Sequence, residues 1–504
     1  MSFLTETAEP KRMQISSLAL EDLMLDTYLK KLFAPHMAGQ RFDWTQYLTT
    51  SPEDLIYRRD VLRTLTDYPV LIRRMTDLTA TLRQIALIKD ERMLGAYGAE
   101  AFREFGVLQE AWSRMKAMQQ ALTDCDREKP LPAGLQNLSR VLEEKLQANF
   151  GRDFDTEWSK RTTGMEKIGS VAVEFRLNDE MQTTGAALTM LNMPKYVKPH
   201  LLSMNREKGM PEKPVEMNPL REMTTPTEEM LEAELTYNQK IFLQMLYRMT
   251  LDLDDLYQDL VFYLGALDFC TQMAARQVPL CIPAILPAGS KGFRTRYMMN
   301  PVLAALRPEK KPVGNDVSFD EGGEIFLLTG INQGGKTTFL RTVGSVQLLF
   351  QLGWPVPARE AAIAIVDKIV TVFSHEEDTA LEHGKLGQEL ETMRDGMDQA
   401  TPQSLLLCNE PITGTSPMEN LYLSRLVLSS CKVNGFKGIW VTHLYDLASG
   451  ADEMNRTLPG SKISSLVARA EKHGDSVEAT YRIEPGEPAF KSYAREVMRK
   501  EAHL

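Results

Sequence analysis

The residues best suited to chemistry lie in a glycine-rich segment in the second half of the chain. The apolar run Ile325–Leu328 is too short for a helix and is typical of a buried strand. It leads into G-I-N-Q-G-G-K-T at Gly330–Thr337, and the helical pattern F-L-R-T-V-G-S-V-Q-L-L-F follows. A strand, a glycine loop and a helix in this order predict a P-loop, in which backbone N–H groups and the positive end of the helix surround phosphates.

The P-loop pattern gives individual side chains a role. Lys336 is placed to neutralise the β- and γ-phosphates of ATP, and the hydroxyl of Thr337 is placed to ligate Mg²⁺. An accidental glycine-rich turn is the alternative, and the flanking strand and helix argue against it. The predicted nucleotide-binding residues are Gly330, Ile331, Asn332, Gln333, Gly334, Gly335, Lys336, Thr337 and Thr338.

Two further apolar runs end in polar residues that fit the same site. Ser404–Cys408 predicts a buried strand, and Asn409 and Glu410 follow it. This is the pattern of a Walker B strand, whose final Glu orients the attacking water, but Asn409 occupies the position of the usual Mg²⁺-associated Asp. Gly438–Thr442 predicts a third strand. A lone histidine is more often structural than catalytic. Because His443 follows a third strand of a P-loop domain, we interpret it as a γ-phosphate sensor.

Composition limits the class of protein. The chain has 504 residues, of which 43% are hydrophobic and 25% charged, a balance that suits about two to four globular domains. No apolar run reaches the roughly 18 residues that span a bilayer, and the N-terminus does not resemble a signal peptide. Five scattered cysteines favour a cytoplasmic protein without disulfides or zinc. The net charge of −10 confines any nucleic-acid contact to a local patch.

The segments upstream of the P-loop are predicted to be mainly helical. Residues 15–150 carry helical stripes, including one in the segment that opens at Pro52, and we assign these to packing. Val171–Leu177 alternates apolar and polar residues, which predicts a half-buried strand. Residues 195–213 are a candidate phosphate-contacting patch, although a solvated loop explains them equally well. The charged residues there are Lys195, Lys198, Arg206, Lys208 and Lys213 against Glu207 and Glu212.

A long helix is predicted over residues 226–278. Thr225, Pro226 and Glu228 form a helix-start signal. A helix of this length would span roughly 75 Å and act as a lever. Gly265 and the run Pro279–Leu286 are predicted to mark its exit. Its coiled-coil seam consists of Phe242, Leu246, Met249, Leu253, Leu256 and Leu260.

These motifs together resemble the ATPase domain of the MutS family of DNA mismatch-repair proteins. The family's G-P-N-M-G-G-K-S-T appears here as G-I-N-Q-G-G-K-T-T, and its D-E-I-G-R-G-T-S appears as N-E-P-I-T-G-T-S from Asn409. Its T-H-Y-F-E-L appears as T-H-L-Y-D-L from Thr442. The segment V-G-N-D-V from Val313 is also similar. By position, Tyr481 resembles a residue that stacks on adenine, and ordinary strand packing is the alternative.

The resemblance departs from the family at three points. The chain is too short for the family's mismatch-reading domain, and no nuclease domain is expected after Leu504. The family's signature R-S-T-F-M-x-E-M aligns with H-G-K-L-G-Q-E-L from His383. Gly384 and Lys385 therefore replace the Ser and Thr that touch the partner subunit's γ-phosphate. The signature helix is predicted over about 384–399, with Leu386, Leu390, Met393 and Met397 facing inward.

The resemblance implies an α/β ABC-type P-loop ATPase domain over residues 301–504. It is joined to a mainly α-helical lever domain over residues 1–300, with a small β-containing, clamp-like insert at about 150–226. ATP and Mg²⁺ are the implied cofactors, with Thr337 and Asn409 at the metal. Lys336, Glu410 and His443 are the candidate catalytic residues.

The function that we expect from this resemblance is that of an ATP-binding, ATP-hydrolysing clamp or sensor in DNA repair or maintenance. The expected partners are a second copy of the chain and DNA, without a membrane. The alternative is a nucleotide-gated scaffold dimer, because Asn409 and the altered signature would permit binding and dimerisation with little turnover.

Overall fold

The computed structural model describes most of the chain in twelve stretches. They are residues 11–37, 42–92, 100–150, 170–177, 183–192, 253–287, 289–307, 309, 311–319, 324–374, 384–473 and 476–488. The chain divides into two compact units, the first made of residues 1–79, 122–138 and 256–504 and the second of residues 80–121 and 139–255. Within the described stretches, no helix is both long and apolar enough to cross a membrane.

Two sheets lie in the first unit. Its strands are β1 (Gln14–Ile15), β4 (Ala284–Ile285), β5 (Phe293–Met298), β6 (Asn315–Phe319), β7 (Ile325–Gly330), β8 (Glu360–Ile363), β9 (Lys368–Phe373), β10 (Leu405–Asn409), β11 (Lys437–Val441), β12 (Ile463–His473) and β13 (Ser476–Pro485). The larger sheet has the order β1-β9-β10-β11-β7-β12-β13 and is parallel except for the last pair. The smaller has the order β4-β8-β5-β6.

Helices make up most of the described N-terminal residues, and helices of the first unit also contact its sheets. They are α1 (Ser17–Leu23), α2 (Leu25–Phe33), α3 (Pro52–Asp67), α4 (Pro69–Arg92), α5 (Glu100–Glu128), α6 (Ala133–Phe150), α7 (residues 253–275), α8 (Pro301–Leu306), α9 (Lys336–Leu352), α10 (Lys385–Gln399), α11 (Pro417–Val433), α12 (Tyr445–Ser449) and α13 (Ala451–Thr457). An α/β sheet domain near the C-terminus and a helical region near the N-terminus confirm the predicted fold class.

The N-terminal residues of the first unit hold the P-loop helix α9 along its length. β1 extends the large sheet at β9. Arg341 Nε donates to the carbonyl of Asp22 at 2.8 Å, and Gln351 Nε2 donates to that of Thr49 at 3.0 Å. The guanidinium of Arg58 reaches the carbonyl of Leu352 at 3.3 Å. The described residues between 11 and 67 therefore support the large sheet and its P-loop helix, while the boundaries placed at 150, 226 and 300 stay predictions.

The second unit contains helical segments and a β-hairpin. Strand β2 (Ser170–Leu177) is confirmed where the alternating pattern predicted it, and β3 (Thr183–Asn192) pairs with it antiparallel. β3 is not predictable from its residue pattern, because its Gly-Ala-Ala segment lacks the β-branched and aromatic residues that signal a strand. The basic patch at 195–213 and residues 226–252 of the lever lie outside the described residues.

Gly265 lies inside α7, so the prediction that it marks the end of the lever is wrong. A Cβ at Gly265 would come within 2.1 Å of Phe33 Cε1, so the missing side chain admits the Phe33 ring. The three described residues of the predicted seam, Leu253, Leu256 and Leu260, are all buried. Close packing against a distant aromatic ring, and not chain termination, is thus the reason for this glycine.

A buried lysine lies at the edge of the large sheet opposite the P-loop. Lys437, the first residue of β11, is 1% exposed, and its ammonium donates to the carbonyl of Lys291 at 3.3 Å. Burial, followed by the charge of Lys291, lowers the pKa of Lys437 from 10.5 to about 8. Because the folded-state pKa lies below the unfolded one, the native state binds this proton less well. Stability should therefore rise with pH between about 8 and 10.5.

We predict that Lys437→Met stabilises the fold at pH 7. Removing the buried charge should raise the free energy of unfolding by at most roughly 3 kcal/mol, reduced by the loss of one hydrogen bond. It should also flatten the rise in stability above pH 8. Urea unfolding at pH 7 and pH 10 measures both effects. The control is Lys462→Met, which changes an exposed lysine just before β12. A variant less stable than the wild type at pH 7 would contradict this account.

Candidate nucleotide site

Three neighbouring parallel strands bring the predicted site residues to one edge of the sheet. β11 pairs with both β7 and β10, and Val441 lies opposite Leu328 on one side and Asn409 on the other. Carboxyl ends of parallel strands meet at the same edge, which is where open α/β sheets bind ligands. The P-loop, the Asn409–Glu410 pair and His443 therefore lie together, as the sequence predicts.

The glycines of the P-loop are required by its backbone. Gly330 has φ +130°, and a Cβ there would come within 2.8 Å of Ala468. Gly335 has φ +89° and lies beside Tyr481, whose Cδ1 would be 3.3 Å from an added Cβ. Gln333 adopts φ 60° although it is not glycine. The loop is thus a tight turn held against β12 and β13, with Asn332 and Thr338 exposed and Gly334 buried.

Lys336 points back into the loop from the first residue of α9. Its side chain is 6% exposed, and Nζ donates to the carbonyls of Gly330 at 3.1 Å and Ile331 at 3.0 Å. Burial lowers the pKa of Lys336, and the carboxylate of Glu410 opposes that shift. The ammonium is therefore held under the P-loop by neutral carbonyls, near the carboxylate of Glu410.

Thr337 and Asn409 form the polar pair at which the sequence predicts a metal. The Thr337 hydroxyl donates to Asn409 Oδ1 at 3.2 Å. Both groups present oxygen, which Mg²⁺ prefers, and a phosphate-bound Mg²⁺ needs few protein ligands. The donor set therefore fits Mg²⁺, but it supplies no negative charge.

Glu410 and His443 form a hydrogen-bonded pair at the ends of β10 and β11. His443 Nε2 lies 2.8 Å from Glu410 Oε1. The hydrogen bond from His443 lowers the pKa of Glu410, and the charges of His443 and Lys336 act in the same direction against burial. Glu410 has φ 49°, a strained conformation for a non-glycine residue, and its N–H donates to the carbonyl of Val441 at 3.1 Å. An ionised carboxylate is thus fixed in one orientation.

Asn315 braces the predicted adenine contact, a role that sequence reasoning missed. Its Nδ2 donates to the carbonyl of Tyr481 at 3.1 Å, and its Oδ1 accepts from the N–H of Ile483 at 2.7 Å. Tyr481, held between these bonds, has φ 57° and is 39% exposed beside Gly335. The V-G-N-D-V match contained Asn315, but nothing in the sequence joined it to β13. Stacking of Tyr481 on adenine stays a prediction.

The signature helix begins where it was predicted. α10 runs over Lys385–Gln399 with Gly384 as N-cap, at φ −63°. A Cβ added at Gly384 would meet no atom of the described residues within 4 Å, so these residues leave room for a larger side chain. Met393 is buried, and the other predicted inward residues are half-buried: Leu386, Leu390 and Met397.

We predict that Asn409→Asp lowers the Mg²⁺ concentration needed for ATP turnover. A carboxylate can accept the Thr337 hydrogen bond and adds charge at the metal, and charge-assisted contacts are about twice as strong as neutral ones. Mg²⁺ titration of ATP hydrolysis should show a shift of about tenfold, with faster turnover. Asn434→Asp, at the exposed end of α11, is the control for the added charge alone. An unchanged Mg²⁺ requirement would mean that another group supplies the negative charge.

Comparison with known proteins finds two family models on this chain. The model for MutS domain V matches residues 326–502, and that for the MutS2 N-terminal domain matches residues 50–276. The chain is 32% identical over 196 residues to the DNA mismatch repair protein MutS of Brevibacillus brevis. The aligned residues cover 38% of this chain and 22% of that protein. It is 30% identical over 239 residues to Endonuclease MutS2 of Thermus thermophilus. The aligned residues cover 47% of this chain and 30% of that protein. These matches thus span less than a third of each relative.

Proposed function

The chain belongs to the MutS family, and on this basis we propose that it binds and hydrolyses ATP as a dimeric, ATP-gated clamp or sensor on DNA. MutS domain V is an ABC-type ATPase domain. The observation that carries the proposal is the meeting of Lys336, Thr337, Asn409, Glu410 and His443 at one sheet edge, from three separate strands. A sheet that only needed stability would not gather these groups around a glycine loop.

Each side chain has a task in this proposal. The ammonium of Lys336 exchanges its two carbonyl partners for the β- and γ-phosphates, whose charge it neutralises. Thr337 and Asn409 would hold Mg²⁺, which would supply positive charge against the phosphates. Glu410, kept ionised and oriented by His443, accepts a hydrogen bond from the attacking water and aligns it with the γ-phosphate.

The complete site needs two chains in this proposal. α10 has fifteen residues, and its first backbone N–H groups and positive dipole end would face the partner subunit's γ-phosphate. Lys385, next to that end, supplies a charge in place of the missing hydroxyls. ATP should therefore convert monomers or loose dimers into tight dimers.

We propose DNA as the partner because the two relatives are named as a DNA mismatch repair protein and an endonuclease. ATP turnover measured with plain, mismatched and branched duplex DNA tests this. A rate that none of the three DNAs changes, with no DNA retained by the ATP-bound dimer, would contradict the clamp.

A scaffold with little turnover is the second candidate function, and two observations favour it. The metal pair Thr337–Asn409 carries no charge, and Gly384 offers no hydroxyl to a partner's phosphate. ATP-dependent dimerisation without measurable hydrolysis at saturating Mg²⁺ would identify this function.

We predict that Lys336→Ala abolishes ATP binding and ATP-dependent dimerisation. No other cationic side chain of the described residues is hydrogen-bonded within the P-loop. Fluorescent-nucleotide titration and light scattering with a non-hydrolysable analogue measure the two losses. Lys368→Ala is the matched control, because Lys368 also donates to a backbone carbonyl, that of Gln399 at 3.2 Å, at the start of β9. Undiminished affinity in Lys336→Ala would refute the P-loop assignment.

We predict that Gly384→Ser tightens the ATP-bound dimer by about tenfold. No described atom lies within 4 Å of a Cβ at Gly384, and a hydroxyl at the N-cap would add a donor for the partner's phosphate at little cost in stability. Dimer dissociation constants with and without the analogue are the measurement. Gly384→Ala fills the same space without a hydroxyl, so equal behaviour of the two variants would argue against a phosphate at this helix end.

A further inference from the structure

Glu389 joins the signature helix to the loop that follows Glu410. It lies in the second turn of α10 and is 8% exposed. One carboxylate oxygen accepts from the backbone N–H groups of Thr413 at 2.8 Å and Gly414 at 2.9 Å, and the other accepts from the Thr413 hydroxyl at 2.6 Å. Three bonds to an ionisable acceptor make a strong and directional attachment.

The backbone of the loop also touches the first turn of the helix. A Cβ at Gly414 would come within 2.6 Å of Leu386 N and 3.1 Å of Lys385 C, so only glycine permits this approach. Of the residues of α10, Glu389 and Met393 are the two that are buried. The first turns of α10 are therefore held by Glu389 and by the contact at Gly414, while Met393 anchors the helix further along.

The segment between Glu410 and Thr413 is short and fixed at both ends. The N–H of Glu410 is bonded to β11, and Glu389 binds Thr413 three residues later. Between them Ile412 is buried, and its carbonyl accepts from Asn420 Nδ2 at 2.6 Å. Because this segment is short and bonded at both ends, it can absorb little of a displacement at the start of α10. Such a displacement is therefore transmitted to Glu410.

We infer that Glu389 is a positioning residue that couples the two nucleotide sites of the dimer. The inference rests on the proposed function, in which the start of α10 meets the partner's γ-phosphate while Glu410 serves the subunit's own ATP. A phosphate bound at the start of α10 restrains that turn, and Glu389 passes the restraint to the loop that carries Glu410. Hydrolysis in one subunit thus depends on ATP in the other.

Glu389→Ala and Thr413→Val test this coupling in the full chain. Glu389→Ala removes all three bonds. Thr413→Val, at an exposed position, removes only the hydroxyl bond of these three, together with the 3.3 Å contact between the Thr413 and Ser374 hydroxyls. Glu391→Ala is the matched control, because Glu391 is exposed on the same helix and pairs with Arg394 at 3.4 Å. ATP affinity, analogue-driven dimerisation and turnover against ATP concentration are measured for each.

The wild type should hydrolyse ATP cooperatively. Glu389→Ala should keep its ATP affinity within about twofold and lose cooperativity. Its kcat should fall by about tenfold, less than the roughly 10²- to 10⁴-fold contribution of a general base, because Glu410 is displaced and not removed. Thr413→Val should show a smaller loss, about threefold, and Glu391→Ala none. If the role of Glu389 is purely structural, Glu389→Ala should instead lower ATP affinity and thermal stability together, and kcat should fall no more than ATP affinity does.

Two results would overturn the inference in distinguishable ways. If the wild type dimerises with ATP and hydrolyses it, but both loop variants keep the wild-type kcat and cooperativity, the coupling is refuted and the proposed function stands. If the wild type binds ATP and stays monomeric, the proposed function is refuted and the coupling with it. Should Glu389→Ala fail to fold, Thr413→Val decides the question.

Discussion

The parallel pairing of β11 with β7 and β10 is the constraint on which the nucleotide site depends. Its register places Val441 opposite both Leu328 and Asn409. A slip of one residue would turn every side chain to the opposite face of the sheet and separate the Thr337 hydroxyl from Asn409 Oδ1, now 3.2 Å apart. Catalytic geometry is thus a consequence of backbone hydrogen bonds between buried apolar strands.

A set of buried amide and guanidinium groups keeps the P-loop helix in register with that sheet. Gln347 Nε2 donates to the carbonyl of Ala364 at 3.0 Å and to Gln351 Oε1 at 2.8 Å, and Gln351 Nε2 donates to the carbonyl of Val366 at 2.9 Å. Arg58 and Thr49 extend this support into the N-terminal segment. Buried polar networks specify one arrangement, because any shift leaves costly unpaired groups.

The charge balance of the site differs from that of a Walker B pair with two carboxylates. Two neighbouring carboxylates raise each other's pKa, whereas Asn409 is neutral and the pKa of Glu410 is lowered by His443. The site therefore keeps its ionised Glu410, while a metal bound at Thr337 and Asn409 would have a weaker pair of ligands. A bound metal would depend more on the phosphates than on the protein for its negative ligands.

The sequence by itself determined the local elements and the identity of the chemical groups. The run Ile325–Leu328, the glycines of the P-loop and the alternation over Val171–Leu177 act through near neighbours in the chain, so their strands and turns were predictable. Only the tertiary structure decided which distant residues meet. Gly265 serves the Phe33 ring, and Asn315 braces Tyr481. Periodicity reports which face of an element is apolar, but not which partner covers it, because side chains far apart in sequence leave no local pattern of their contact. For the same reason, the hydrogen bonds of Glu389 to Thr413 and Gly414 could not be predicted from the sequence.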